Sequence, residues 1–149
     1  MKRIKRYQCD EITGSILYEK IGSRQKDENN RKLLLELAAV EKQHALVWKN
    51  YSQVDVGSNW MKIFVYLFLY KIFGFTFAIK LMEKNEALTL EDYAQAQETF
   101  PEVGAIMKDE EEHEERLLGL MDEDRLKYVG AMVLGLNDAL VELTGIWPA

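Results

Sequence analysis

The chain holds two histidines, His44 and His113, and each follows a glutamate by three positions, giving the pairs Glu41/His44 and Glu110/His113. Residues three apart share one side of a helix, so each pair can present a carboxylate and an imidazole to the same metal ion. Two such ions close together need bridging carboxylates to offset their mutual repulsion, with further carboxylates and neutral imidazoles at the ends. Helical bundles supply that set as one glutamate from each of two helices and a Glu-x-x-His pair from each of the other two. Glu11 and Glu83 fill the single places. The order along the chain is then Glu, Glu-x-x-His, Glu, Glu-x-x-His, a quasi-repeat of two helix pairs.

Four helices must position these residues. The spacing predicts helix A over about Ile4–Ser23, with Ile4, Tyr7, Gly14, Ser15, Tyr18 and Gly22 on the face of Glu11 at roughly 100° per residue. The polar break SRQKDENN supplies turn and cap chemistry, with Asn29 and Asn30 at its end, before helix B over about Arg31–Ser52. Leu34, Leu37, Glu41, His44, Ala45 and Trp48 form its inner face, while Leu35, Ala39 and Leu46 make a second apolar strip. Residues 60–81 are apolar enough to raise the question of a membrane span, but Lys62, Lys71, Lys80 and the central Gly74 interrupt them. A crossover helix over about 60–72 followed by helix C over about 75–88 is expected instead, with a short separate helix from Thr89 to about Thr99. Helix D starts at Pro101 and runs to about Met121. A last apolar segment, about 125–143, carries Asn137, Asp138 and Glu142.

Wheel geometry separates the members of the acidic run DEEEHEE. Glu110 and His113 fall near the stripe of Ile106, Leu117, Leu120 and Met121, whereas Glu111, Glu112 and Glu115 point away from it. A carboxylate inside an apolar bundle costs several kcal/mol unless it is paired or bound to a metal. The pattern repeats at Glu11, Glu41, Glu83 and Glu110, one per helix, with few lysines or arginines on the same stripes. A shared cation accounts for all four. Glu86, three residues after Glu83, is either a seventh ligand that exchanges with His44 on a change of oxidation state or a carboxylate at the rim. Tyr7 and Tyr18 share the Glu11 face, either as core aromatics or as hydrogen-bond donors to the site, Tyr18 being the candidate catalytic residue.

Composition sets the limits. With 25 acidic against 19 basic residues, the formal charge of −6 argues against nucleic acid or anionic lipid as the main partner of the whole surface. Cys9 is the single cysteine, so no disulfide, zinc ribbon or iron–sulfur site forms within one chain. The basic N-terminus lacks an apolar stretch after it and is not a secretory signal; a cytoplasmic setting is expected.

Glu11, the Glu41/His44 pair, Glu83 with Glu86, and the Glu110/His113 pair are together similar to the ligand set of the rubrerythrin branch of ferritin-like proteins. The stretches DEITGSILYEKIG, LAAVEKQHALVWKNY and FGFTFAIKLMEKNE resemble more closely the erythrin domain that precedes the membrane domain of vacuolar iron transporter-type proteins. YVGAMVLGLNDALVELTG looks like the first membrane helix of such a domain. The resemblance implies an all-α, ferritin-like four-helix bundle over 1–122, with a long B–C crossover helix, and an extra C-terminal helix over 123–149. It implies two iron ions, for which zinc or manganese could substitute, and ferroxidase or peroxide-reducing activity on dioxygen or hydrogen peroxide. Without paired cysteines, electrons must come from an external donor. The alternative is a non-catalytic module that senses iron or delivers it to a membrane iron transporter, which would make the chain membrane-associated. The spare apolar strip on helix B and the crossover helix predict a homo-oligomer, a dimer or larger.

Overall fold

The structure is a computed structural model that describes residues 2–96 and 99–120; the side chains of 85–92, 94 and 95 fall outside that description. The described residues are all-helical, with no strand. Helices α1 (Lys2–Gly22), α2 (Glu28–Ser52), α3 (Trp60–Phe73) and α4 (Phe75–Ala96) are followed by α5 over 103–120. The chain forms two compact units, Met1–Glu114 and Glu115–Ala149. The boundary expected at 122/123 and the apolar helix expected over 125–143 lie outside the described residues, as does Met121.

Local chemistry sets the helix ends. Asp27 caps α2 from an extended backbone, its carboxylate accepting the amides of Asn29 and Asn30. The helix therefore begins three residues before the expected Arg31, and the capping residue is Asp27 rather than Asn29 or Asn30. Asn59 caps α3 by accepting the Lys62 amide. Gly74 then stops α3 at φ 84°, a backbone conformation that side chains with a Cβ resist, and its amide closes onto the Tyr70 carbonyl. The separate short helix expected from Thr89 is not formed: α4 runs unbroken to Ala96. Nothing between Phe75 and Ala96 is glycine or proline, so the TLED stretch has no break to cap.

Helices α1 and α2 pair antiparallel. Tyr7 meets Trp48 near one end, Ser15 Oγ donates to the Ala38 carbonyl at 2.7 Å in the middle, and Gly22 meets Leu34 at the other end. At Gly22 the helices approach so closely that an added Cβ would stand 2.9 Å from Leu34 Cβ. Gly22→Ala is therefore expected to destabilise the fold by about 1–3 kcal/mol, read as a lower denaturant midpoint with unchanged slope.

The loop after α2 is tied down by α1. Ser52 Oγ donates to Gln8 Oε1 (2.7 Å), Gln8 Nε2 donates to the Val54 carbonyl (3.1 Å), and Thr13 Oγ1 accepts the Asn59 amide (2.9 Å). From there α3 runs alongside α1 in the same direction: Lys62 pairs with Asp10 at its start, and Tyr70 accepts from Gln25 near its end. The chain is thereby carried back to the far end of the α1–α2 hairpin. Helix α4 returns antiparallel to α1, with Tyr18 bonded to Glu83 and Tyr93 to Glu11. Helix α5 lies antiparallel to α2, as the contacts of Glu41 with His113 and of His44 with Glu110 require.

The core at one end is aromatic. Tyr7, Trp48, Tyr93, Ala96, Val103 and Ile106 are buried together, with Phe100 and Tyr51 packed against them. The expected inner face of α2, Leu34, Leu37, Glu41, His44, Ala45 and Trp48, is buried throughout. Its second strip is not covered among the described residues: Leu35, Ala39 and Leu46 are exposed. No helix of the described residues is long and apolar enough to cross a membrane.

Candidate metal centre

Glu11, Glu41, His44, Glu110 and His113 are all buried, each 7% exposed or less. Their neighbours Glu111, Glu112 and Glu115 are exposed, the division expected from the helical wheel. Four of the buried residues, Glu11, Glu41, His44 and Glu110, bring one ligand atom each to within 4.8 Å of the others. They come from α1, α2 and α5.

Glu110 stands at the middle. Its Oε1 lies 3.1 Å from His44 Nδ1 and its Oε2 lies 3.6 Å from His113 Nδ1, so one carboxylate faces both imidazoles. His44 Nδ1 is also 3.7 Å from Glu11 Oε2, and His113 Nδ1 is 3.5 Å from Glu41 Oε1. The ring planes are inclined by 26°, with centroids 6.0 Å apart. Although carboxylates crowd both Nδ1 atoms, neither makes a hydrogen bond of acceptable direction. Buried polar atoms rarely go without one. Two buried imidazole nitrogens without a well-directed hydrogen bond, facing carboxylate oxygens at 3.1 to 3.7 Å, suit a cation, which accepts electron pairs from both kinds of atom. The residues present therefore fit a metal.

The surroundings hold these groups in place. Glu11 Oε1 accepts from Trp48 Nε1 at 3.2 Å and from the Tyr93 hydroxyl, which leaves Oε2 facing His44. Trp48 Nε1 also reaches the Tyr93 oxygen, at 3.1 Å. Burial, and then the Glu11 carboxylate, push the Tyr93 phenol well above its ordinary pKa, so it stays a donor. His44 turns its other nitrogen outward, where Nε2 lies 3.2 Å from Asp109 Oδ2. A carboxylate behind a ligating imidazole fixes its tautomer and ring angle. Gly14 leaves room beside Glu41: a Cβ there would sit 3.6 Å from Glu41 Oε2.

Electrostatics in the metal-free protein follow from this crowding. Burial pushes the His44 imidazole down, but Glu11 and Glu110 outweigh it and raise the pKa to about 10. Burial likewise pushes Glu110 up, yet His113 and His44 prevail and hold its carboxyl below the usual range. Without a metal, the proton on His44 takes the cation's place.

The remaining expected residues divide. Glu83 is half-buried and is not one of the four that converge; its Oε1 accepts the Tyr18 hydroxyl at 3.0 Å. Tyr18 is fully buried and its hydroxyl bonds to Glu83, not to the four converging residues. The Glu86 side chain lies outside the described residues. Trp48, Tyr93 and Asp109 are the partners that sequence reasoning did not assign. A signal existed for Tyr93: it follows Ile79 and Glu86 at seven-residue steps, but the helix boundary expected at Thr89 broke that register.

No protein-family model, curated protein or solved structure matches this chain. The chemistry therefore rests on the site itself, and Asp109 gives a direct check on it. Asp109→Asn is expected to weaken metal binding about 10- to 100-fold. The half-exposed position leaves the melting temperature of the metal-free protein little changed, and anaerobic titration with iron(II) measures the affinity.

Proposed function

We propose that the chain is a dinuclear metal–carboxylate protein whose Glu–His cluster holds iron and supports redox chemistry on it. The observation that carries this reading is the pair of buried Nδ1 atoms, His44 and His113, set without hydrogen bonds among Glu11, Glu41 and Glu110. Order and direction of the helices, with α3 as the crossover between α2 and α4, support a ferritin-like bundle of the rubrerythrin type.

In this reading Glu11, Glu41, His44, Glu110 and His113 would hold the metal, with Glu110 facing both imidazoles. Glu83 is available to the same centre from α4. Mixed carboxylate and imidazole donors suit a redox metal, although zinc and manganese accept the same groups. Iron, when bound, would supply a one-electron couple for reaction with dioxygen or peroxide. The protein's part is to hold and orient. Trp48 and Tyr93 fix Glu11 through one oxygen, Asp109 fixes His44 through Nε2, and Tyr18 fixes Glu83. The aromatic group of Tyr7, Trp48 and Tyr93 closes one end of the site against water. Electrons for turnover come from an external donor.

Anaerobic iron loading followed by elemental analysis and stopped-flow mixing tests the proposal. Stoichiometric iron, and an absorbance change on mixing with dioxygen or peroxide, are expected. A much faster response to peroxide marks peroxide reduction, and an equal or faster response to dioxygen marks a ferroxidase. About two ions per chain fit the dinuclear reading; one ion per chain or fewer would refute it.

A further inference from the structure

One face of α3 is apolar and open. Met61, Phe64, Val65, Phe68 and Ile72 recur at helical spacing and are exposed, Met61 at 77%, Phe64 at 71% and Phe68 at 54%. The opposite face packs inward through Ile63 and Tyr66. Contiguous apolar surface of this kind marks a place where something binds.

Charge narrows the occupant. Residues 60–82 contain Lys62, Lys71 and Lys80 and no carboxylate, in a chain whose formal charge is −6. At roughly 100° per residue, Lys62 and Lys71 fall about a quarter-turn to either side of the apolar face. Lys71 and Lys80 are exposed, while Lys62 is shared with Asp10 at 3.5 Å. Apolar side chains flanked by lysines that can lift their ammonium groups to a headgroup layer are the pattern of a helix lying in a membrane interface. Length agrees: 14 residues extend about 21 Å, short of the ~30 Å hydrocarbon layer, so the helix fits along the surface and not across it. A second copy of the chain fits less well. Two such faces related by a two-fold axis would set Lys71 of each copy against a helix whose residues 60–82 offer no carboxylate to pair it.

We propose that the outer face of α3 docks the protein on an anionic lipid surface, with Phe64 and Phe68 entering the interface and Lys71 meeting the headgroups. The proposal is independent of the metal.

Flotation of the full chain with vesicles of phosphatidylcholine alone, and of phosphatidylcholine mixed with phosphatidylglycerol, tests it. The protein is expected to float with the mixed vesicles and much less with the neutral ones, and to be released at high salt. Phe64→Ser with Phe68→Ser should lower partitioning about tenfold or more, and Lys71→Glu should reduce the preference for anionic vesicles. Both phenylalanines are exposed, so an unchanged melting temperature shows that the double variant still folds. Trp60, exposed at the start of α3, should shift its emission to the blue on binding, a shift that Trp60→Phe removes. Equal flotation of wild type and double variant would place the contact elsewhere and overturn the proposal. So would equal binding to both vesicle types, or binding to neither. A dimer in solution that the double variant dissociates, with no vesicle binding, would overturn it in favour of a second copy.

Discussion

Glu110→Gln is expected to empty the centre, lowering metal affinity at least about 100-fold and leaving less than one ion per chain after anaerobic loading. The magnitude follows from its position. Glu110 is the carboxylate that faces both histidines, Oε1 toward His44 and Oε2 toward His113. An amide offers one weaker acceptor and one N–H group, so it cannot serve two cations. The same change removes one of the two carboxylates that hold the His44 proton, and the His44 pKa should fall from about 10 toward its ordinary value. Proton NMR of the metal-free variant measures that fall separately from metal content. Wild-type metal content in the variant would show that the cluster is not the binding site.

The second large effect is on pH. His44 enters the metal-free state protonated, with a pKa of about 10 against 6.5 for an ordinary imidazole. A cation that takes Nδ1 must displace a proton from the ring, so metal binding releases protons and strengthens as pH rises. Apparent affinity is expected to climb about tenfold per pH unit between about pH 6 and pH 8. Calorimetric titration in buffers of different ionisation heat counts the protons released. Stability of the metal-free protein runs the opposite way. A histidine whose folded pKa is raised contributes stability that is fully present below the unfolded value of 6.5 and is lost as pH rises through about 10. Alkaline pH thus weakens the empty fold while favouring the loaded one. A pH-independent affinity would contradict the assignment of His44 as a ligand.

Much of this arrangement was legible in the sequence because burial of ionisable groups has a helical period. Glu41 with His44, and Glu110 with His113, fall on apolar stripes, and the protein buries them there. What stayed hidden depends on contacts between helices. Asp109 is one residue before Glu110 and reads as part of a solvated acidic run, yet it reaches His44 on α2. Trp48 reads as a core aromatic; that its indole N–H meets Glu11 is decided by how α1 and α2 pack. Tyr93 was lost for a local reason, since a Thr followed by acidic residues resembles a helix start even in the middle of a helix. The cap at Asp27 shows the related ambiguity, in which several adjacent polar residues could each begin α2.

The crossover path of α3 has a consequence for how the site comes into being. The α1–α2 hairpin needs only a short turn to close and can form early. The carboxylates of Glu11 and Glu110, however, stand near opposite ends of the described chain and meet only when α5 has docked against α2. Completing the cluster thus requires long loop closures, and a cation bound there would cross-link the early part of the chain to the late part. Loading should leave the folding rate nearly unchanged and slow unfolding, so that the metal acts chiefly as a kinetic clamp on the native state.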